Sequence, residues 1–304
     1  MNLCWTAHRV VATGWMWNEI SSKRYVGSES GINDSFPFDI EARVSDIYAM
    51  AATRKVLGIR FFTGDVPETV AVILQHGGFL VAPSGTCFAR LRYDEPYRRA
   101  VVSADLAIAD SGWMVLMWRL LRHESIRRVS GLKYLQQLFA QLKGEGIAEI
   151  FWILPNESAR QKLLDWSRRE VFAVKTENCY VAPQYGLQIE DRHLVALVED
   201  RRPAHALIAI GSGPQEKLGY YLRENLSYRP AIHCTGAALG FITGDQIAIP
   251  NWADRLYLGW FLRLLTQPRR FIPRLWRAHE LPWLIWKYGE NLPPLKRKPA
   301  RRSL

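Results

Sequence analysis

The chain has 304 residues, 48% of them hydrophobic, and a formal net charge of +11, which allows one large α/β domain with appendages. No apolar run approaches the roughly 18 residues that a membrane span needs, and the N-terminus lacks the basic-then-apolar order of a secretory signal. Cys4, Cys87, Cys179 and Cys234 stand far apart, which argues against a zinc site or a disulfide framework and fits a reducing compartment.

Residues 1–53 show no sustained period, and the stretch 26–38 is rich in Gly, Ser, Asn and Asp, as loops are; this is read as an N-terminal extension without an assigned role. From Lys55 onward short apolar runs alternate with helical ones. Strands are expected at 56–62, 78–82, 106–109, 149–154 and 206–210. Helices are expected at 66–74, 97–102, 113–121, 132–143, 157–169 and 215–226. That alternation predicts, over 54–250, a Rossmann-like α/β domain with a mostly parallel sheet covered by helices on both faces.

Residues 251–304 read as a basic, Trp-rich appendage. They hold twelve Lys/Arg against three acids, so about +9 of the +11 resides there. An amphipathic helix is expected over 251–265, with prolines breaking the rest into short pieces and a disordered basic end from Lys296. Trp252, Trp260, Trp276, Trp283 and Trp286 lie among the cations, a pattern suited to the headgroup layer of an anionic bilayer. Nucleic acid is the less favoured partner.

In such sheets ligands bind at the C-terminal ends of the strands, where helix N-termini offer free amides. Asp110 follows the strand expected at 106–109 and precedes Ser111-Gly112 and a helix. A carboxylate there either deprotonates an acceptor hydroxyl or caps the helix. Gly211-Ser212-Gly213-Pro214-Gln215-Glu216 follows another strand; its glycines let backbone amides approach a diphosphate, and a plain strand-to-helix turn reads equally well. It matches neither the dinucleotide Gly-x-Gly-x-x-Gly pattern nor the P-loop. The small, apolar stretch 235–241 packs against either a ligand or a neighbouring helix. The seven histidines form no His-Glu-x-x-His pair, and no Gly-x-Ser-x-Gly elbow occurs, which disfavours a metalloprotease or serine hydrolase.

Taken in order over about residues 55–277, these stretches resemble the WecG/TagA/CpsF family of bacterial glycosyltransferases. The run from Asp94-Glu95-Pro96-Tyr97 to Asp110 is similar to the family stretch ending in Pro-Asp-Gly. Gly211 to Glu216 is similar to its Gly-Ala-Pro-Lys-Gln-Glu turn, and Gly236 to Phe241 to its Gly-Gly-Ala-Phe-Asp-Phe element. Pro250-Asn251-Trp252 through Gln267-Pro268-Arg269-Arg270 is similar to its Ala-Pro-x-Trp to Glu-Pro-x-Arg signature.

The resemblance implies an inverting transferase that moves an N-acetylmannosamine-like sugar from a UDP-sugar onto an undecaprenyl-diphosphate-linked sugar in cell-surface polysaccharide synthesis. It implies Asp110 as general base and Ser84, Gly211, Ser212, Gly213, Gln215, Glu216 and Gly236 at the donor. Arg263, Arg269, Arg270, Arg274 and Arg277 are implied at the diphosphate and membrane. No metal cofactor is expected, and the expected location is cytoplasmic, peripheral on the inner face of the cell membrane. The sequence departs from the pattern at Ala82, where the family has the Thr of Thr-x-Asn, and at Ser111, Leu239, Gly240 and Gly259. Those departures motivate the alternative, a non-catalytic, membrane-associated partner in a polysaccharide assembly complex.

Overall fold

The computed structural model describes residues 53–143, 150–170, 172, 174–245 and 278–296. Nearly all of the N-terminal extension, the amphipathic helix expected over 251–265 and most of the basic end lie outside them.

Eight strands form one sheet: β1 (Thr53–Val56), β2 (Ile59–Phe62), β3 (Gly78–Val81), β4 (Leu106–Ala107), β5 (Ile150–Leu154), β6 (Cys179–Val181), β7 (His205–Ile208) and β8 (Ala231–Cys234). Their order is β1-β2-β4-β3-β8-β7-β5-β6. Every neighbouring pair is parallel except β1 with β2. The helices are α1 (Val66–His76), α2 (Glu95–Val102), α3 (Gly112–Arg122), α4 (Gly131–Leu142), α5 (Glu157–Arg169), α6 (Arg192–Arg201), α7 (Pro214–Asn225), α8 (Ala238–Thr243) and α9 (Glu280–Tyr288). The expected α/β class with a mostly parallel sheet is what the chain adopts.

Both faces of the sheet are covered, which is why its central strands read as unbroken apolar runs. All five side chains of β5 are buried. Phe151 and Ile153 join a core with α2, α3, α6, α7 and α9 residues such as Tyr97, Trp118, Leu194, Leu218 and Leu284. Ile150, Trp152 and Leu154 point the other way, to Val70, Leu138, Leu163 and Leu239 of α1, α4, α5 and α8. The period-two alternation of strand side chains thus feeds two cores from one sheet.

The single strand expected at 56–62 is instead the β1–β2 hairpin, turning at Leu57 (φ 49°) and Gly58 (φ 84°). Residues in the left-handed region end an extended run whatever its hydrophobicity. The turn amides are taken up from outside, Leu57 N donating to Gly289 O and Gly58 N to Glu290 O, both at 2.9 Å. The short pieces expected in the proline-broken tail include a regular helix, α9: Pro282 sits in its first turn, where no intrahelical N–H is lost. Strands β6 and β8 and helices α6 and α8 were not expected. β8 reads Ala-Ile-His-Cys, and the histidine breaks the apolar run that marks a buried strand.

Candidate active site at the strand ends

Four adjacent parallel strands, β4, β3, β8 and β7, end on the same edge of the sheet, and the loops that leave them carry most of the singled-out residues. After β4 the chain reaches half-buried Asp110, whose Oδ1 accepts from Gly131 N at 2.9 Å. Arg128 Nε donates to the Asp110 backbone carbonyl at 2.9 Å. The cap of the following helix is Ser111, which accepts from Met114 N at 3.2 Å. Asp110 therefore does not cap α3; it reaches across to the first amide of α4, where Ser130 provides no side-chain cap. A carboxylate at a helix N-terminus is held in place by the free amides there.

After β3 come Ala82, Pro83 and half-buried Ser84, whose Oγ lies 3.1 Å from Thr86 Oγ1. This loop touches the next: a Cβ at Gly85 would meet Ser111 Oγ at 2.8 Å. After β8 come Thr235 and Gly236. A Cβ at Gly131 would stand 3.2 Å from Thr235 O and 3.8 Å from Asp110 Cγ, and one at Gly236 would stand 3.7 Å from Ser212 Oγ and 3.8 Å from Gln215 Nε2. A continuous line of contacts therefore runs from Asp110 through Gly131, Thr235 and Gly236 to the turn after β7.

In that turn Gly211 (φ 95°) and Gly213 (φ 103°) adopt backbone that side chains disfavour. Pro214 then opens α7 as expected. Glu216, fully buried, reaches back with Oε2 to Gly213 N at 2.5 Å, while its Oε1 accepts from Gln215 Nε2 at 3.2 Å. Burial pushes the Glu216 carboxyl up to about 7, against the pull of the Gly213 amide, the Gln215 side chain and the Arg90 charge. Two buried polar atoms at the junction, Gln215 Oε1 and Thr235 Oγ1, have no hydrogen-bond partner.

Arg90 had no signal in the sequence. It sits on the short 3-10 helix Phe88–Arg92, with Nη1 2.7 Å from where a Cβ at Gly213 would be. Asp94, the N-cap of α2, anchors it: Asp94 Oδ2 lies 3.6 Å from Arg90 Nη1 and 3.5 Å from buried Lys217 Nζ, and Oδ1 accepts from Tyr97 N. Only the fold joins Arg90 to a glycine far along the chain. Among the described residues no cluster of three or more His, Cys, Asp or Glu side chains is placed to hold a metal ion. The expected cations Arg263, Arg269, Arg270, Arg274 and Arg277 lie outside the described residues.

Residues 54–297 match the family described as the glycosyl transferase WecG/TagA/CpsF family. The chain is also similar to the N-acetylglucosaminyldiphosphoundecaprenol N-acetyl-beta-D-mannosaminyltransferase of Bacillus subtilis (strain 168). The two are 24% identical over 192 residues, covering 60% of this chain and 69% of the relative.

Proposed function

This chain belongs to the glycosyl transferase WecG/TagA/CpsF family, and from that premise we propose that it moves an N-acetylmannosamine-like sugar from a UDP-sugar onto a polyprenyl-diphosphate-linked sugar with inversion. As a glycosyltransferase it has to solve two problems, activating an acceptor hydroxyl and stabilising a departing nucleoside diphosphate. The observation that carries the reading is that Asp110 and the Gly211–Gly213 turn, each suited to one of these tasks, stand at the same edge of the sheet, after β4 and β7, with Gly131, Thr235 and Gly236 between them. Asp110 takes the proton of the acceptor hydroxyl as its oxygen attacks the anomeric carbon. The bond to the diphosphate oxygen breaks on the opposite face, and the Gly211 and Ser212 amides of the turn before α7, with the Arg90 guanidinium, offset the charge that develops. No step in this scheme calls on a metal.

The lipid-linked acceptor requires a membrane surface, and the pair formed by α3 and α9 suits one. The two helices run parallel: Trp113 Nε1 donates to Ala278 O at 3.4 Å near one end, and at the other Arg122 lies against Gly289. The two helices expose Leu116, Leu120, Trp283 and Trp286 by 40%, 62%, 39% and 67%, together with the cations Arg119 and Lys287. Interfacial aromatics with adjacent cations bind anionic headgroups. No helix among the described residues is long and apolar enough to cross a membrane.

The test is sugar transfer to a polyprenyl-diphosphate N-acetylglucosamine acceptor in neutral and anionic vesicles, with UDP-sugars screened by mass spectrometry for wild type and Asp110→Asn side by side. Product from wild type alone, faster on anionic vesicles, is the expected result. Product from both proteins removes Asp110 from the base role. Product from neither, with vesicle binding intact, favours the non-catalytic partner.

A further inference from the structure

Glu216 and Gln215 are both fully buried at the base of the glycine turn, so neither acts as an exposed side chain waiting for solvent-borne ligand. Their relation to each other is specific. Gln215 turns its Nε2 to Glu216 Oε1, which leaves the acceptor end of the amide, Oε1, without a partner. The other Glu216 oxygen holds the Gly213 amide. An amide has a donor end and an acceptor end, and an ionised carboxylate only accepts. While Glu216 is ionised, the end of Gln215 turned from it is therefore an acceptor.

We propose that Glu216 is a positioning residue that decides which end of the Gln215 amide is presented to the donor bound against the Gly211–Gly213 and Gly236 turns; this rests on the donor reading above. A proton on Glu216 Oε1 turns that oxygen into a hydrogen-bond donor. Gln215 then has to present its own oxygen to Glu216 and its NH2 outward. The ligand group that matches the ionised state is an N–H or O–H, such as an amide or hydroxyl of the donor, and it loses its acceptor when the amide turns.

The surroundings favour a change near neutral pH. Arg90 faces Glu216 from the 3-10 helix, Cys87 from the residue before that helix, Tyr97 from α2 and Cys234 from β8. Burial raises the thiols and the phenol, so these groups stay neutral while the carboxyl, at about 7, titrates. Arg90 Nη1 and Asp94 Oδ2 lie 3.6 Å apart as an ion pair. Cys234 Sγ donates to the Gln215 carbonyl at 3.2 Å, which holds the Gln215 backbone in place.

The experiment is calorimetric binding of UDP-N-acetylmannosamine, whose diphosphate diester does not titrate in the range used, to wild type and Glu216→Gln between pH 6 and 8.5. Wild type should bind about tenfold more tightly at pH 8.5 than at pH 6, the worth of one good hydrogen bond, with a midpoint near 7. Glu216→Gln, whose own NH2 imitates the protonated acid, should show the weak value at every pH. A flat wild-type profile, or a pH dependence kept in Glu216→Gln, overturns the positioning role alone. No wild-type binding at any pH removes the donor reading and this inference with it. If Glu216→Gln does not fold, Gln215→Ala decides: with no amide to turn its profile is flat, and a retained profile overturns the proposal.

Discussion

Two sets of buried polar side chains sit within or just beyond the same pair of strands, and the fold treats them in opposite ways. Within β7 and β8, His205 Nδ1 lies 3.2 Å from His233 Nε2, and His233 Nδ1 lies 2.7 Å from Tyr134 Oη of α4. Both nitrogens of His233 are thus engaged inside the core. One residue beyond β8, Thr235 Oγ1 is buried without a partner, as is Gln215 Oε1 past the end of β7. Buried polar groups are ordinarily satisfied. The closed set therefore reads as architecture, and the open set stands at the edge where the loops after β7 and β8 meet.

The largest effect that sharpens this contrast is on turnover. Asp110→Asn keeps an acceptor for Gly131 N but not the base, so activity in the vesicle assay should fall by about 10²–10⁴-fold, while the melting temperature stays within about 2 °C. A comparable loss of stability would move Asp110 to the architectural set.

Next comes a stability gain at the open end. Glu216 is raised from 4.5 to about 7 in the folded protein, so folding favours its protonated form. The stability it contributes is present below about pH 4.5 and is lost as pH rises through 7. At about 1.4 kcal/mol for each pH unit the gap amounts to about 3 kcal/mol. Denaturant unfolding should find Glu216→Gln more stable than wild type by up to that amount at pH 8 and equal to it near pH 4.5. The closed set carries the opposite sign. Burial, and then the neighbouring His205, hold His233 well below the usual imidazole range; its contribution is present above about pH 6.5 and is lost as pH falls.

Two hydroxyl deletions complete the series. Tyr134→Phe leaves His233 Nδ1 unpaired and should cost about 1–3 kcal/mol without changing donor affinity. Thr235→Val removes an unpartnered hydroxyl at nearly constant volume and should raise stability by about 1 kcal/mol while weakening donor binding. If both changes destabilise equally in denaturant melts, the two sets are of one kind and the contrast fails.

Much of this was legible because periodicity reports burial. The α5 helix at 157–169 and the buried β5 run stand out from composition alone, since a two-faced sheet forces apolar residues into every central position. The strand-end placement of Asp110 and of the 211–216 turn followed from the same pattern. What escaped was set by contacts far apart in sequence. Nothing local links Arg90 to Gly213, or tells that Asp110 would reach Gly131 rather than cap its own helix. His233 concealed β8 because its polarity is answered by Tyr134, a residue of another element.

The segment that follows α9 lies back along the beginning of the sheet: Gly289 O and Glu290 O take the β1–β2 turn amides, Arg98 of α2 donates to Pro293 O, and Lys296 N donates to Arg92 O. On a ribosome the partners of these bonds emerge at widely separated times. The earliest hairpin and the 3-10 helix that bears Arg90 wait for residues made long after β8 is complete. A product stopped before α9 would have all eight strands and none of this clasp, and its open turn and uncovered Phe88, Leu91 and Trp118 would present it to chaperones and proteases. Residues 289–296 thus tie the first hairpin and the 3-10 helix that bears Arg90 to a segment made some two hundred residues later, so both are held only in chains that have been read through to it.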